Sequence, residues 1–542
     1  MPVAWGLYDR LVAKKNLKLP IFEAMQSLSS KTFQNDFVDS FPGDDSGSLL
    51  PRQTPGVLYS QTTPTPVAKP VLLAWSEELA AELGMNRPDE KELEILAGNL
   101  VTRSMIPYAA CYAGHQFGNW AGQLGDGRAI TLGEWPTSSA SSWELQLKGA
   151  GLTAYSRRGD GRAVLRSSVR EYLMSEAMHH LGIPTTRALS LVTTGDQVMR
   201  DMFYNGQAAF EPGAIVMRTA PSFLRFGNFE MLAARQETEN LQALANWTIE
   251  RYYPHITGEE KILDWFAEVV DRTALMIVEW TRVGFVHGVM NTDNMSVLGL
   301  TIDYGPFSFL DNYDPEFTPN TTDLPGKRYA FGQQAAIAYW NLSCLANALS
   351  PLVPETEKLA EKLKSFEMIY GTRFYAMMGE KLGIDNLKET DVQLVTDLEK
   401  VLILIQPDMT IFYQLLIDLP LDLGSEKAIT DYFAASFYQE LIPAESEHLV
   451  KVIKAYQERI KANSCSRQES QARMRKANPR FILRNYLLHM AIEELEKGQN
   501  ELFLRIQQAM KDPYSANYDE FFKLRPEWAT QKAGCSMLSC SS

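Results

Sequence analysis

A chain of 542 residues is longer than a single hydrophobic core usually serves, so at least two lobes are expected. An apolar content of 45% is that of a folded globular protein, and a formal charge of −14 argues against nucleic acid or an anionic membrane as partner, because both select basic surfaces. Five scattered cysteines are too few for a secreted disulfide scaffold, the early residues show no signal-peptide core, and no apolar run approaches the roughly 18 residues of a membrane span, so a cytoplasmic protein is expected.

Residues 1–100 read as an N-terminal extension, partly irregular, because 39–70 are rich in Pro, Ser, Thr and Gly. Residues 101–235 read as a first lobe. Its Gly-rich stretch "GQLGDGRAITLGE" is followed by "WELQLK", where Trp143, Leu145 and Leu147 alternate as in a strand. In "RAVLRSSVREYLMSEAMHHLGIP", Val164, Leu165, Val169, Tyr172, Leu173, Ala177 and Leu181 recur at helical spacing, and Gly182 and Pro184 stop the helix. Residues 236–542 read as a helical second lobe. A helix over 260–283 feeds "GFVHGVMNTDNMSVLGLTIDYGP", whose "MSVLGLTIDYG" predicts a hairpin turning at Gly299 and bringing Asn294 to Asp303. Beyond about 330 the period is helical almost throughout.

That stretch resembles the catalytic and metal loops of protein kinases, H-R-D-L-x-x-x-N followed by D-F-G. His287 and Asn294 keep the His-to-Asn separation, and Asp303-Tyr304-Gly305 stands for D-F-G, yet the position of the catalytic Asp is Val289. Lys148, ending "LQLK", matches the strand lysine that contacts ATP phosphates, with Glu171 on the next helix as its partner. Gly125 and Gly127 form a G-x-G able to approach a phosphate, although Ile130 replaces the third Gly and a tight turn fits "LGDGR" equally well. Asn294 and Asp303 are hard oxygen donors suited to magnesium. His287 reads as structural, and Asp293 is the remaining carboxylate that could accept a proton.

Longer blocks carry a closer resemblance: "YAGHQFGNWAGQLGDGRAITLGE", "LKGAGLTAYSRRGDGRAVLRSSVREYLMSEAMHHLGIPTTRALS", "HGVMNTDNMSVLGLTIDYGPFSFLD", "NPRFILRNYL" and the terminal "CSS". They are similar to the selenoprotein O family of kinase-like proteins. The resemblance implies an α+β, two-lobed protein-kinase-like fold with an enlarged, mostly helical C-terminal lobe. It also implies AMP transfer from ATP, bound in a flipped orientation, to Ser, Thr or Tyr hydroxyls of protein substrates. Nucleotide contacts carried over from the family fall on Gly125, Gly127, Arg128, Lys148, Asp160, Gly161, Arg218 and Arg225. Glu171 would position Lys148, Asn294 and Asp303 would hold magnesium or manganese, and Asp293 would be the base. The family's redox lock pairs the tail cysteine with one in the segment after D-Y-G. Here that segment, "LDNYDPEFTPNTTD", has no Cys, so the partner of Cys540 is left as Cys535, another cysteine or none. An ordinary kinase with a displaced base, or an inactive nucleotide-binding scaffold, are the alternatives.

Overall fold

The computed structural model describes residues 25–137, 141–202, 205–535 and 537–539. Its β-rich part is a nine-stranded sheet in the order β1 (Gly43–Asp44), β2 (Tyr59–Gln61), β4 (Tyr108–Ala110), β7 (Ala129–Pro136), β8 (Ser142–Lys148), β11 (Ala209–Ala220), β10 (Arg187–Arg200), β3 (Val71–Trp75), with β9 (Ala163–Val164) paired to β11. All pairings are antiparallel except β1 with β2. β5 (Ala113–Gln116) and β6 (Asn119–Gln123) form a separate hairpin. The stretch 39–70 is mostly irregular, but β1 and β2 come from it, so residues before 101 are built into the sheet that carries Lys148.

Two-residue alternation decides what β8 shows to each side. Leu145 and Leu147 are fully buried in a core with Leu79, Ile95, Ile130, Leu132, Trp135, Ile215 and Met217. Each such side chain contributes about 1.5–3 kcal/mol of transfer free energy. Gln146 and Lys148 therefore point to the opposite face. In the β8–β11 register Gln146 lies opposite Arg218 and Lys148 opposite Val216, so the neighbouring strand delivers its arginine to the same face. The helix Leu165–His180 packs on β10 and β11 and runs one residue inside the predicted span at each end.

The C-terminal part is mainly helical. The helix Lys261–Val283 buries Trp265, Phe266, Val269, Val270, Ala274, Ile277 and Trp280 and stops at Gly284, whose φ of 78° ends it in the left-handed region. Helices Gln334–Leu349 and Thr356–Leu382 pack against it. Among the described residues no helix is long and apolar enough to cross a membrane.

The segment 295–303 is not the expected hairpin. It turns at Gly299, but Ser296 bridges Arg225, Thr301 bridges Thr185, and the Thr301 amide donates to Pro184 O at 2.9 Å. Apart from the turn bond from the Gly299 amide to Ser296 O at 3.2 Å, the Val297 and Thr301 amides find partners outside the segment, on Leu224 O and Pro184 O. The segment thus ties Asp303 to the connection that bears Arg225, just after β11, the strand that bears Arg218.

Candidate active site

The site is an ionic cluster between the sheet and the loop 287–305. From β8, Lys148 Nζ lies 2.5 Å from Glu171 Oε2 and 3.9 Å from Asp303 Oδ1. Glu171 also accepts Arg218 Nη1 at 2.8 Å, and the same nitrogen donates to Asp303 Oδ1 at 2.5 Å. Arg225 Nη1 donates to Asp303 Oδ2 at 2.6 Å and to the carbonyl of Asp293 at 2.8 Å. Arg218 further donates to Gln146 Oε1. Both arginines are fully buried, and a buried guanidinium persists only where it is paired and hydrogen-bonded.

Charge is unevenly matched here. Burial alone would raise the Asp303 carboxyl, but Arg225, Arg218 and Lys148 overcome burial and hold it well below the usual carboxylate range. Burial lowers Lys148, and Glu171 opposes the shift. Asp126, between the two glycines of "LGDGR", is raised by burial against the pull of Arg225 and Arg218. Lys148, Arg218 and Arg225 thus make their ion pairs with two carboxylates, those of Glu171 and Asp303. The surplus is positive, which suits a phosphate-bearing ligand. Asp303 has φ 57°, a left-handed conformation that Asp tolerates better than most residues and that sets its carboxylate between the two arginines.

Asp293 sits beside this cluster in a short turn, Thr292–Asn294. Burial pushes its carboxyl up to about 6, with Arg225 and the Gln116 hydrogen bond pulling the other way. Gln116 Nε2 donates to Oδ2 at 3.3 Å, while buried Oδ1 has no partner. Gly114 abuts it: a Cβ at 114 would meet that oxygen at 2.8 Å. A buried carboxyl raised to about 6, with one oxygen unpaired, has the properties of a general base. Val289, at the kinase base position, is buried and apolar. His287 is structural: its Nδ1 accepts the Val289 amide at 3.3 Å, Nε2 donates to Ile302 O at 2.9 Å, and the ring stacks on Trp280. Asn294 Nδ2 donates to Val289 O at 2.9 Å, a bond that does not use its amide oxygen. An amide oxygen and a carboxylate are the hard donors a magnesium ion accepts, so the donor set fits.

A family model described as "Protein adenylyltransferase SelO" matches residues 52–511. The chain belongs to this family. It is 60% identical over 518 residues to the "Protein nucleotidyltransferase YdiU" of Cytophaga hutchinsonii, covering 96% of this chain and all of the relative. It is 50% identical over 526 residues to the protein of that name from Aromatoleum aromaticum, covering 95% and 100%. The Rhodopirellula baltica protein of the same name is 48% identical over 535 residues, covering 94% and 99%.

Of the residues that SelO-family resemblance nominates, the fold gathers Lys148, Glu171, Arg218, Arg225, Asp293 and Asp303 into one contact network. Gly125 and Gly127 flank Asp126, and both are closely packed on Tyr155. Arg128 accepts the Gly149 amide through its carbonyl at 2.7 Å, one residue beyond Lys148. Asp160 is held instead by Arg200, at 2.7 and 2.8 Å, and is half exposed. Gly161 lies against Gly151, where no Cβ fits. Sequence reasoning missed Gln146, Asp126, Gly114 and Gln116. For Gln146 a signal existed, since it stands two residues before Lys148 in a strand. Cys540 lies outside the described residues, and Cys111, Cys344, Cys465 and Cys535 are free thiols.

Proposed function

We propose that this chain, a nucleotidyltransferase by family, transfers AMP from ATP to Ser, Thr or Tyr hydroxyls of protein substrates, with ATP flipped relative to its orientation in kinases. It would do so on a two-lobed, kinase-like scaffold whose first lobe spans 101–235 and whose helical lobe spans 236–542. The observation that carries this reading is the pairing of a surplus-positive cluster, Lys148, Arg218 and Arg225, with a base-like Asp293, while the kinase base position is the buried Val289.

Arg218 and Arg225 would bind the terminal phosphates and Lys148 would steady the chain of phosphates, helped by Arg128 and by the Gly125–Gly127 turn. Asp160 and Gly161 would border the nucleotide. Asn294 and Asp303 would hold a magnesium or manganese ion, which supplies charge neutralisation of the triphosphate. Asp293 takes the proton of the acceptor hydroxyl as its oxygen bonds to the α-phosphorus. The bond from that phosphorus to the bridging oxygen breaks, and pyrophosphate leaves.

The test is side-by-side incubation with ATP labelled at the α- or γ-phosphate. Label on protein only from α-labelled ATP is expected, and it should stay so in Val289→Asp. Substantial γ-label in either protein overturns the flipped orientation, and no label from either nucleotide overturns the transferase reading in favour of a binding scaffold.

A further inference from the structure

Apart from the ionic cluster, the fold brings His115, Glu230 and Cys344 together, with their ligand-capable atoms all within 4.8 Å of one another. They come from three elements distant in sequence: β5, the helix Phe226–Ala234 and the helix Gln334–Leu349. His115 Nδ1 lies 2.6 Å from Glu230 Oε1. Glu230 is only 4% exposed; the Thr292 side chain also interacts with its carboxylate, yet its second oxygen, Oε2, is buried without a close hydrogen-bond partner. A buried carboxylate oxygen left unpaired is costly, which argues for a ligand there.

The chemistry of the three groups is selective. Imidazole, carboxylate and thiol together form a borderline-soft set that suits zinc-class cations rather than magnesium. Bound as carboxylate and thiolate, Glu230 and Cys344 would neutralise a divalent ion, which a buried site demands. Burial otherwise pushes the Cys344 thiol up to about 12, with Glu230 adding to the rise and Arg328 countering it. His115 is partly open to solvent beside Trp120 and Trp340, which gives an entry side and room for a water as fourth ligand. Zinc bonds of about 2.0–2.3 Å place ligand atoms roughly 3.3–3.8 Å apart, so the widest spacing must contract by about 1 Å while the 2.6 Å His115–Glu230 pair opens, changes within the reach of side-chain torsions.

We propose that His115, Glu230 and Cys344 form a zinc-class divalent-metal site, separate from the Asn294 and Asp303 pair, that clamps the β5–β6 hairpin to two helices beside Asp293. The clamp would act on the base through its neighbours. The His115 amide donates to Thr292 Oγ1 at 2.7 Å, Gly114 abuts the Asp293 carboxylate, and Gln116 donates to it. The site stands independently of the direction of ATP binding.

Cobalt(II) is the probe, added to the full-length protein after stripping with chelator. One equivalent should bind with a sulfur-to-cobalt charge-transfer band in the near ultraviolet, be displaced by zinc, and raise the melting temperature. The band should persist in Asn294→Ala and vanish in Cys344→Ser. His115→Gln, altering the partly exposed member, should weaken binding at least tenfold while keeping the fold, as circular dichroism would show. Absence of the band in wild type, or an unchanged band in Cys344→Ser, overturns the proposal and leaves an imidazole–carboxylate pair beside an inert thiol.

Discussion

Asp293 and Asp303 differ by ten residues and have opposite acid–base characters. Burial raises Asp293 to about 6 because Arg225 touches its carbonyl rather than its carboxylate. A base must be ionised to act, so kcat/KM should rise with pH through about 6 and level off above it, and this limb should disappear in the residual activity of Asp293→Asn. Nucleotide binding by Asp293→Asn should remain within a few-fold of wild type, as equilibrium binding would show. Asp303 is the shared counter-ion of two buried arginines. Its removal in Asp303→Ala should therefore cost about 3–5 kcal/mol of stability along with activity, read by denaturant unfolding. A variant of unchanged stability would mean that the arginines find other partners.

At the scale of elements, the helix Leu165–His180 acts on two strands at once, since Glu171 holds Lys148 of β8 and Arg218 of β11. Lys148→Met replaces a buried cation by an apolar chain and leaves Glu171 still paired with Arg218. It should abolish transfer with little loss of stability. Glu171→Gln leaves both cations short of an anion and should destabilise by about 2 kcal/mol, with transfer reduced less than in Lys148→Met. Thermal unfolding and initial rates, measured together, check the contrast. The helix Phe226–Ala234 begins directly after Arg225, and a Cβ at Gly227 would meet Ala113 O at 2.0 Å. Gly227→Ala should push the helix off β5, carry Arg225 away from Asp303, and lower both stability, by about 1–3 kcal/mol, and activity.

Across the whole molecule, the C-terminal tail ties distant parts together. Leu538 pairs with Asn320, the Thr321 amide donates to Leu538 O at 2.8 Å, and Ser539 Oγ donates to Met202 O. The tail therefore reaches both the segment that follows Asp303-Tyr304-Gly305 and the far end of β10. Truncation before Ala533 should free the Thr321 amide and speed hydrogen exchange over 317–323. Unchanged exchange there would show that the segment is held by its own contacts, such as Thr318 to Asp323 at 3.1 Å.

Local pattern was enough for the parts of the site that lie on regular elements. Alternation in "WELQLK" put Lys148 opposite the leucines, helical spacing put Glu171 on the next element, and the His287-to-Asn294 separation marked the loop, because each depends only on residues a few positions apart. The long matching blocks likewise made the SelO family recognisable from the chain alone. What the tertiary structure decided were the partners. Nothing in the chain order says that Arg218 and Arg225 would share Asp303, that 295–303 would bridge Arg225 and Thr185 instead of folding on itself, or that Gly114 and Gln116 would frame Asp293 across about 180 residues. Those contacts follow from strand register and from burial, which together fix how many unpaired charges each buried group must answer, and neither quantity is local to the sequence.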